Sequence, residues 1–595
     1  MMGAIFFMLF FGRTCAFSKN RALLPHFSNR AVRSIQQSTV FATPSKENSL
    51  DSNDDIPIKK GKDKQTALLW LAHNRLRIRD NLALTKAVEL GPDGLATCII
   101  WPYTATNNDT SSLLTSSIQV RPAEAFGYAA VHALNDALGR LGQKVWVIPS
   151  LSKGVGHNIM DGDEYDPVDA IVRAVTELKP SYVVVDVSSL DIHYDNVSKL
   201  QEKIEATNTV IVDVKDDGLL VPFDKVSKAL GRSRQGGRAL RWSTFLSNAM
   251  KMENEEGFEK PTWSLQTLPP LIENSVEILE SYGVVPPQTE SLPQWTQQLL
   301  SEWGEISEEE AMIRANRAGH TVMNAESHST SQLTEQGSKD TKLSAYLRWG
   351  IISPQRAAKA GVRRRDLLWR DWSYICYRLL APLRRGDAVL DIFDSCCNNS
   401  VESEGDDSNR FHLWCVGNTG CHLVDAGMRQ LWFEGWMPRR IRLLAAGCLV
   451  EGLGVNWRLG KDWFEYTLID HDPAINEVMW QNAGLCGVDP FYKGIKWEAP
   501  PKGDDDEKYV QYWLRKELVW PTVLQPYVDR KPTSQFVDNA ETRRNDLFMR
   551  GIYRAANTVA NSGVRVAWPG LSCSTTEGEV MGVGLVPVED LTIKR

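Results

Sequence analysis

Leu468-Ile469-Asp470-His471-Asp472-Pro473-Ala474-Ile475-Asn476-Glu477-Val478-Met479-Trp480-Gln481 is the stretch on which the fold class turns. Asp472, Asn476 and Trp480 recur at every fourth position, so a helix would align them along one face. An acid, an amide and an indole sit where a helix interior would ordinarily be apolar. Together they can address a ring system with several hydrogen-bonding edges. Upstream, Ile441, Leu444, Ala445, Cys448 and Leu449 follow the i, i+3, i+4, i+7, i+8 spacing of a buried helix face. Strand signals nearly vanish between 341 and about 560, which reads as an all-helical domain.

The pattern before this domain is different. Short apolar, β-rich runs recur at Ala67–Leu71, Cys98–Trp101, Val145–Ile148, Tyr182–Val187 and Val210–Val214, with amphipathic stretches at 122–140, 166–178 and 193–205 between them. Buried strands alternating with helices predict an α/β domain over 65–215, a five-stranded parallel, Rossmann-like sheet with helices on its faces. No GxGxxG follows the first strand, so a standard dinucleotide site is not expected there. Residues 216–340 read as a connecting segment with helices. The acidic stretches Asp394–Asn409 and Gly503–Lys508 read as solvent loops, and 561–595 as a short C-terminal tail.

The net charge of -7 argues against a general polyanion-coating protein, though not against a local basic patch. The ten Cys include no CxxC pair, so neither a zinc module nor a disulfide framework is expected. Residues 1–64 read as a targeting leader and a polar linker. The apolar run Ala4–Phe11, the acid-poor basic stretch after it and Phe17 resemble the two-part leader of an alga with a complex plastid; a plain secretory signal is the other reading. No other stretch reads as a membrane span.

Two further segments mix charge with aromatic residues. Thr341-Lys342-Leu343-Ser344 precedes a helical pattern, where hydroxyls can cap the helix and free N–H groups can hold a phosphate. Arg363-Arg364-Arg365-Asp366-Leu367-Leu368-Trp369-Arg370-Asp371-Trp372 reads either as a salt-bridged helix face or as a wall for a flat, phosphorylated ligand.

With Trp414, Thr419-Gly420, Val424-Asp425-Ala426-Gly427-Met428-Arg429, Gly435-Trp436-Met437-Pro438-Arg439-Arg440-Ile441-Arg442 and Trp457-Arg458, the opening stretch resembles the photolyase/cryptochrome pattern. That pattern runs W-x-x-G-x-T-G-x-P-x-V-D-A-x-M-R, G-W-M-x-x-R-x-R, W-R-x-G and L-x-D-x-D-x-x-x-N-x-x-x-W. Trp70 to Leu84 resembles the opening of the same family's α/β domain. The likeness covers about 65–560 and is densest in 341–490.

The resemblance implies a helical domain over 341–560 that cradles FAD. Thr341, Lys342, Leu343 and Ser344 would hold the diphosphate, with Arg370 nearby. Arg442 and Asp470 would pair beside the isoalloxazine, with His471 next in the chain. Asp472 would contact the ribityl chain or ring edge, and Asn476 would face the ring. A neutral amide there supplies no proton, unlike an acid. Trp480 and Trp457 match the two inner members of the family's electron-transfer chain. The distal tryptophan, due roughly ten residues before Trp414, is missing. In the α/β domain the family can carry a folate or deazaflavin antenna, for which no residues are assigned.

The departures cluster on the DNA-facing side. Met437-Pro438-Arg439 stands for the family's M-H-N, Asn482 for the second lesion-clamping aromatic, Leu443 for a lesion-contacting Met, and Asp366 for Glu. Trp369 is retained. Arg363, Arg364, Arg365, Arg439 and Arg440 would form a basic rim for phosphates. Light-dependent repair of a DNA pyrimidine lesion by a monomer is the expected activity. The alternatives are a blue-light receptor with a signalling protein partner and a non-catalytic flavin-binding remnant.

Overall fold

The five β-rich runs pair as expected. In a computed structural model, β1 (Thr66–Trp70), β2 (Gly94–Trp101), β3 (Val145–Pro149), β4 (Tyr182–Val185) and β5 (Val210–Asp213) form one sheet in the order β3-β2-β1-β4-β5. All its pairings are parallel. Helices α1 (Leu82–Leu90), α2 (Pro122–Gly139), α3 (Pro167–Leu178) and α4 (Tyr194–Ile204) alternate with the strands. Leu68, Trp70, Ile100, Val183 and Val185 are buried with Ile171 and Leu200 in one core, which is why these strands are apolar along their length. The structure describes residues 64–101, 121–149, 167–186, 194–214, 218–223, 226, 241–256, 267–280, 294–324, 333–334, 337–338, 341–389, 404–484, 486–489, 497, 500–528 and 530. The leader, the linker up to 63 and the tail from 561 lie outside them. The described residues from 64 onward belong to one compact unit.

The connecting segment carries α5 (Trp242–Glu256), α6 (Ser275–Glu280), α7 (Gln294–Trp303) and α8 (Glu308–Asn324). A small antiparallel pair, β6 (Leu333–Thr334) with β7 (Gly337–Ser338), follows in the Ser/Thr/Gln-rich stretch. Then come α9 (Ser344–Arg348), α10 (Pro354–Lys359), α11 (Arg364–Leu379), α12 (Ala381–Arg385), α13 (Glu404–Cys415), α14 (His422–Glu434), α15 (Arg439–Gly447), α16 (Trp457–Thr467), α17 (Pro473–Ala483), α18 (Gly503–Arg515) and α19 (Gln525–Val528). A π-turn, Cys448–Gly452, continues α15.

Three expectations are corrected. Gly503–Lys508 is not a loop but the start of α18, and Glu404–Asn409 starts α13. Asp504, Asp505 and Asp506 occupy the first turn of α18, where carboxylates favour a helix because its free N–H groups point at them. Asp506 accepts from the Lys502 N–H at 2.9 Å and shares the buried face of the helix with Tyr509 and Trp513. An acidic run is therefore compatible with a helix when it falls at the N-terminus. Thr341 does not cap α9; its N-cap position is Leu343, with no side-chain cap bond.

After β1, buried Arg77 joins the sheet to the helical domain by donating to the Gly350 carbonyl at 2.9 Å, while Arg75 pairs with Asp186 at the end of β4 at 3.0 Å. Gly350 has φ 63°, and a Cβ there would lie 1.9 Å from the Asn74 carbonyl oxygen, so only glycine fits. The six described cysteines are buried and in no disulfide; Cys396 and Cys397 lie outside the described residues. Among the described residues no helix is long and apolar enough to cross a membrane.

Candidate functional site

Asp472 terminates the turn before α17 and starts the helix. Its Oδ1 accepts from the Ala474 and Ile475 N–H groups at 3.0 and 3.1 Å, the geometry of a side-chain N-cap. The same residue thereby aligns Asn476 and Trp480 on one face. Its Oδ2 accepts from the Tyr374 hydroxyl and lies 3.8 Å from Arg348. Burial beside this carboxylate pushes Tyr374 well above its usual value, so its proton stays on. The Arg370 guanidinium stacks 4.6 Å over the Tyr374 ring. Tyr374, which links α11 to Asp472, carried no signal in the sequence beyond its place on an apolar helix face.

The predicted ion pair is present: Arg442 Nη2 donates to Asp470 Oδ2 at 2.7 Å, and Arg442 Nε donates to the Met437 carbonyl at 2.9 Å. Arg442 also lies 5.9 Å from the centroid of Trp436, whose Nε1 donates to Ser344 Oγ at 3.2 Å. Lys342 is held in the left-handed region at φ 52°, and its ammonium pairs with Glu434 at 3.0 Å. A phosphate at this segment would compete with Glu434 for that ammonium. The Thr341 carbonyl accepts from Arg314 at 3.2 Å. Direct contacts thus join Lys342, Ser344, Trp436, Arg442 and Asp470. A second contact set joins Arg348, Asp472, Tyr374 and Arg370, and Asp470 and Asp472 link the two through His471. Arg348 Nε donates to the His471 carbonyl at 2.8 Å. Burial pushes the His471 imidazole down to about 4, against the upward pull of Glu465.

Two buried polar atoms in this cluster have no partner in the protein: Asp470 Oδ1 and Arg370 Nε. A buried acceptor and a buried donor left over are costly without a ligand. They suit a bound molecule that offers both a donor edge and an anion, as a flavin with its diphosphate does. Asn476 is 8% exposed, and its Nδ2 donates to the Lys461 carbonyl at 3.1 Å, which fixes the amide. A cavity of about 430 Å³ lined by His132, Asp136, Leu300 and Ile306 lies elsewhere; no residue of the cluster lines it.

Trp480 packs edge-on to Phe464 at 5.0 Å and to Trp414 at 6.1 Å. Gly460 makes room for it, since a Cβ there would lie 2.2 Å from Trp480 Cη2. Trp457 is fully buried at the start of α16, with Arg458 4.4 Å over its ring.

Four features mark the side that the resemblance assigns to DNA. Arg439 lies 4.7 Å over the face of Trp369 and 3.5 Å from Asp366, covering the indole that would stack on a base. Trp242, on α5 and not singled out in the sequence, closes another side of Trp369 at 4.1 Å. Arg440 is not on the rim; it makes a two-point pair with Asp506 at 2.8 Å, the α18 acid described above. Asn482 is fully buried and accepts from the Asp489 N–H, so no clamp face exists at that position.

Residues 363–536 match the family model described as the FAD binding domain of DNA photolyase. A deoxyribodipyrimidine photo-lyase of Agrobacterium fabrum is 38% identical over 134 residues, 22% of this chain and 26% of that protein. A cryptochrome DASH of Danio rerio is 32% identical over 191 residues, 29% and 35% of the two chains. A deoxyribodipyrimidine photo-lyase of Thermus thermophilus is 31% identical over 224 residues, 36% and 49%. The matches thus span from 26% to 49% of these relatives. A class III photolyase structure from Agrobacterium tumefaciens aligns with TM-score 0.58 at 21% identity, covering 84% of this chain and all of that one. A Synechocystis cryptochrome structure aligns with TM-score 0.57 at 20% identity, covering 81% and 99%. These structures carry the two-domain fold across both the sheet and the helices, and the family-model match covers the helices from α11 onward. Residues 363–536 thus match the FAD binding domain of DNA photolyase, and the chain shares its two-domain fold with photolyase and cryptochrome structures.

Proposed function

We propose that this protein binds FAD in the helical domain and uses blue light to move single electrons, with a pyrimidine lesion in DNA as the electron's destination. The observation that carries the reading is the pair of partnerless buried atoms, Asp470 Oδ1 and Arg370 Nε, set among the ion pairs of the cluster. Arg442, Asp470 and Asn476 would hold the ring system, and Arg370 with the Thr341–Ser344 backbone the diphosphate. When bound, FAD supplies blue absorption and one-electron redox chemistry. Arg442, held by Asp470, places a fixed positive charge where negative charge would accumulate. Asn476 offers a hydrogen bond and no proton. Trp480, buried and flanked by aromatic rings, is the inner electron donor of the chain.

The lesion reading requires Arg439 to leave Trp369. Both side chains of the Arg439–Asp366 pair are substantially exposed, 52% and 41%, so breaking it costs little. The cation–π contact adds on the order of 0.5–1 kcal/mol at such a site. The same contact favours a second reading, a receptor without repair, in which Trp369 stays covered. Illumination of the FAD-loaded full chain with dimer-containing single-stranded DNA separates the two: regained thymine absorbance supports repair, and flavin reduction without it supports the receptor. A folded preparation that takes up no FAD would sink both.

A further inference from the structure

Trp480 needs a route to solvent if the pocket is to be resupplied with electrons, and the sequence offers no distal tryptophan before Trp414. The route through Trp457 meets the Arg458 guanidinium 4.4 Å over its ring, which raises the cost of leaving a positive hole there. A second run of rings leaves Trp480 in another direction. Trp414 lies 6.1 Å away, with Phe464 5.0 Å from Trp480 and 6.0 Å from Trp414. Phe411 bridges Trp414 and Trp463 at 6.1 and 6.5 Å. Trp463 then stacks on Trp432 at 5.9 Å and 13°, and Trp432 on Trp520 at 5.1 Å and 16°.

The electrostatics of this run favour holes. Among the described residues no Lys or Arg lies over the rings of Trp414, Trp463, Trp432 or Trp520. The Trp414 Nε1 donates to the Ala445 carbonyl at 2.9 Å and the Trp432 Nε1 to the Val519 carbonyl at 2.8 Å. Carbonyl oxygens bring their negative ends to the indole N–H, stabilising positive charge on the ring. Trp414 and Trp463 are buried, whereas Trp432 is only partly buried and Val519 is 90% exposed, so the run ends at solvent.

Resting on the flavin reading above, we propose that Trp414, Trp463 and Trp432 form the outer electron branch of this protein, with Trp432 as its exit. One electron leaves Trp480 for a photo-oxidant of the flavin class in the pocket. Trp414 refills Trp480, Trp463 refills Trp414, and Trp432 refills Trp463. Trp432, one electron short, releases its Nε1 proton to water. A small thiol in solution returns one electron and one proton and leaves as a thiyl radical. Core packing explains why these rings are buried, so the test reads electron movement and not stability.

Full-length Trp432→Phe, Trp463→Phe and Trp457→Phe proteins are loaded with FAD, loading is read from dark absorbance, and tryptophan radicals are followed by transient absorption and electron paramagnetic resonance after a flash with dithiothreitol. Unchanged loading with an about tenfold lower yield of long-lived radical in the Trp432 and Trp463 variants, and a smaller loss for Trp457→Phe, supports the branch. A larger loss for Trp457→Phe than for Trp432→Phe overturns it. A second arm needs no FAD. The apoprotein is illuminated with a ruthenium photo-oxidant and persulfate, and oxidised tryptophans are mapped by mass spectrometry. Oxidation concentrated on Trp432 and Trp520, moving inward to Trp463 in Trp432→Phe, supports the branch. Oxidation centred on Trp457 overturns it. Failure to load FAD would refute the flavin reading alone, and the apoprotein map would still decide the branch.

Discussion

The floor and the rim of the candidate site use the same residue types to opposite ends. On the floor, Arg442 meets Asp470, whose side chain is 2% exposed, and one carboxylate oxygen is left free for a ligand. On the rim, Arg439 meets Asp366 with about half of each side chain in water, and the guanidinium covers Trp369. A desolvated pair is costly to break because the remaining charge is stranded, while an exposed pair is cheap. The floor is therefore rigid and suited to one cofactor. The rim is a loose cover that a ligand can displace.

The largest expected effect follows from the floor. Asp470→Ala strands Arg442 beside the pocket, and FAD affinity measured by flavin fluorescence should fall by about 3 kcal/mol, more than 100-fold. An unchanged affinity would remove the distinction between floor and rim. Gly460→Ala drives a methyl group into Trp480, and thermal unfolding should show a loss of about 2 kcal/mol. On the rim, Arg439→Asn uncovers Trp369, and binding of dimer-containing single-stranded DNA, followed by anisotropy, should strengthen by about 1 kcal/mol. Trp369→Ala in that background should remove roughly 1–3 kcal/mol of stacking. If Arg439→Asn leaves DNA binding untouched, the cover is structural and the receptor reading gains.

The smallest effect is on pH dependence. The folded His471 titrates near 4, below its ordinary 6.5, so the unfolded chain binds the extra proton between these values. Its contribution to stability is present above about 6.5 and is lost as the pH falls toward 4. Chemical denaturation at pH 7 and pH 5 should show lower stability at pH 5, and His471→Gln should shrink that difference. The residue as a whole is partly exposed, so the change should be modest.

The α/β and helical domains were legible because their signals are local: strand runs buried on both faces, and apolar spacing that closes on a helix. The Asp472–Asn476–Trp480 face was legible for the same reason, from spacing within one helix, whereas the Arg442–Asp470 pair spans 28 residues and was legible only through resemblance. The acidic start of α18 was misread because composition does not say which helix end a charge occupies, or that Arg440 waits 66 residues upstream. The partners of Trp369 were illegible for a stronger reason. Trp242, Arg439 and Met479 reach it from three different helices, and nothing in their spacing along the chain encodes that convergence. The sequence by itself determined which elements form and which chemistry they carry, since propensity and periodicity act over a few residues. Only tertiary structure decided that Lys342 meets Glu434, that Arg439 covers Trp369 and that the rings lead from Trp480 to Trp432, because those contacts depend on how the helices pack.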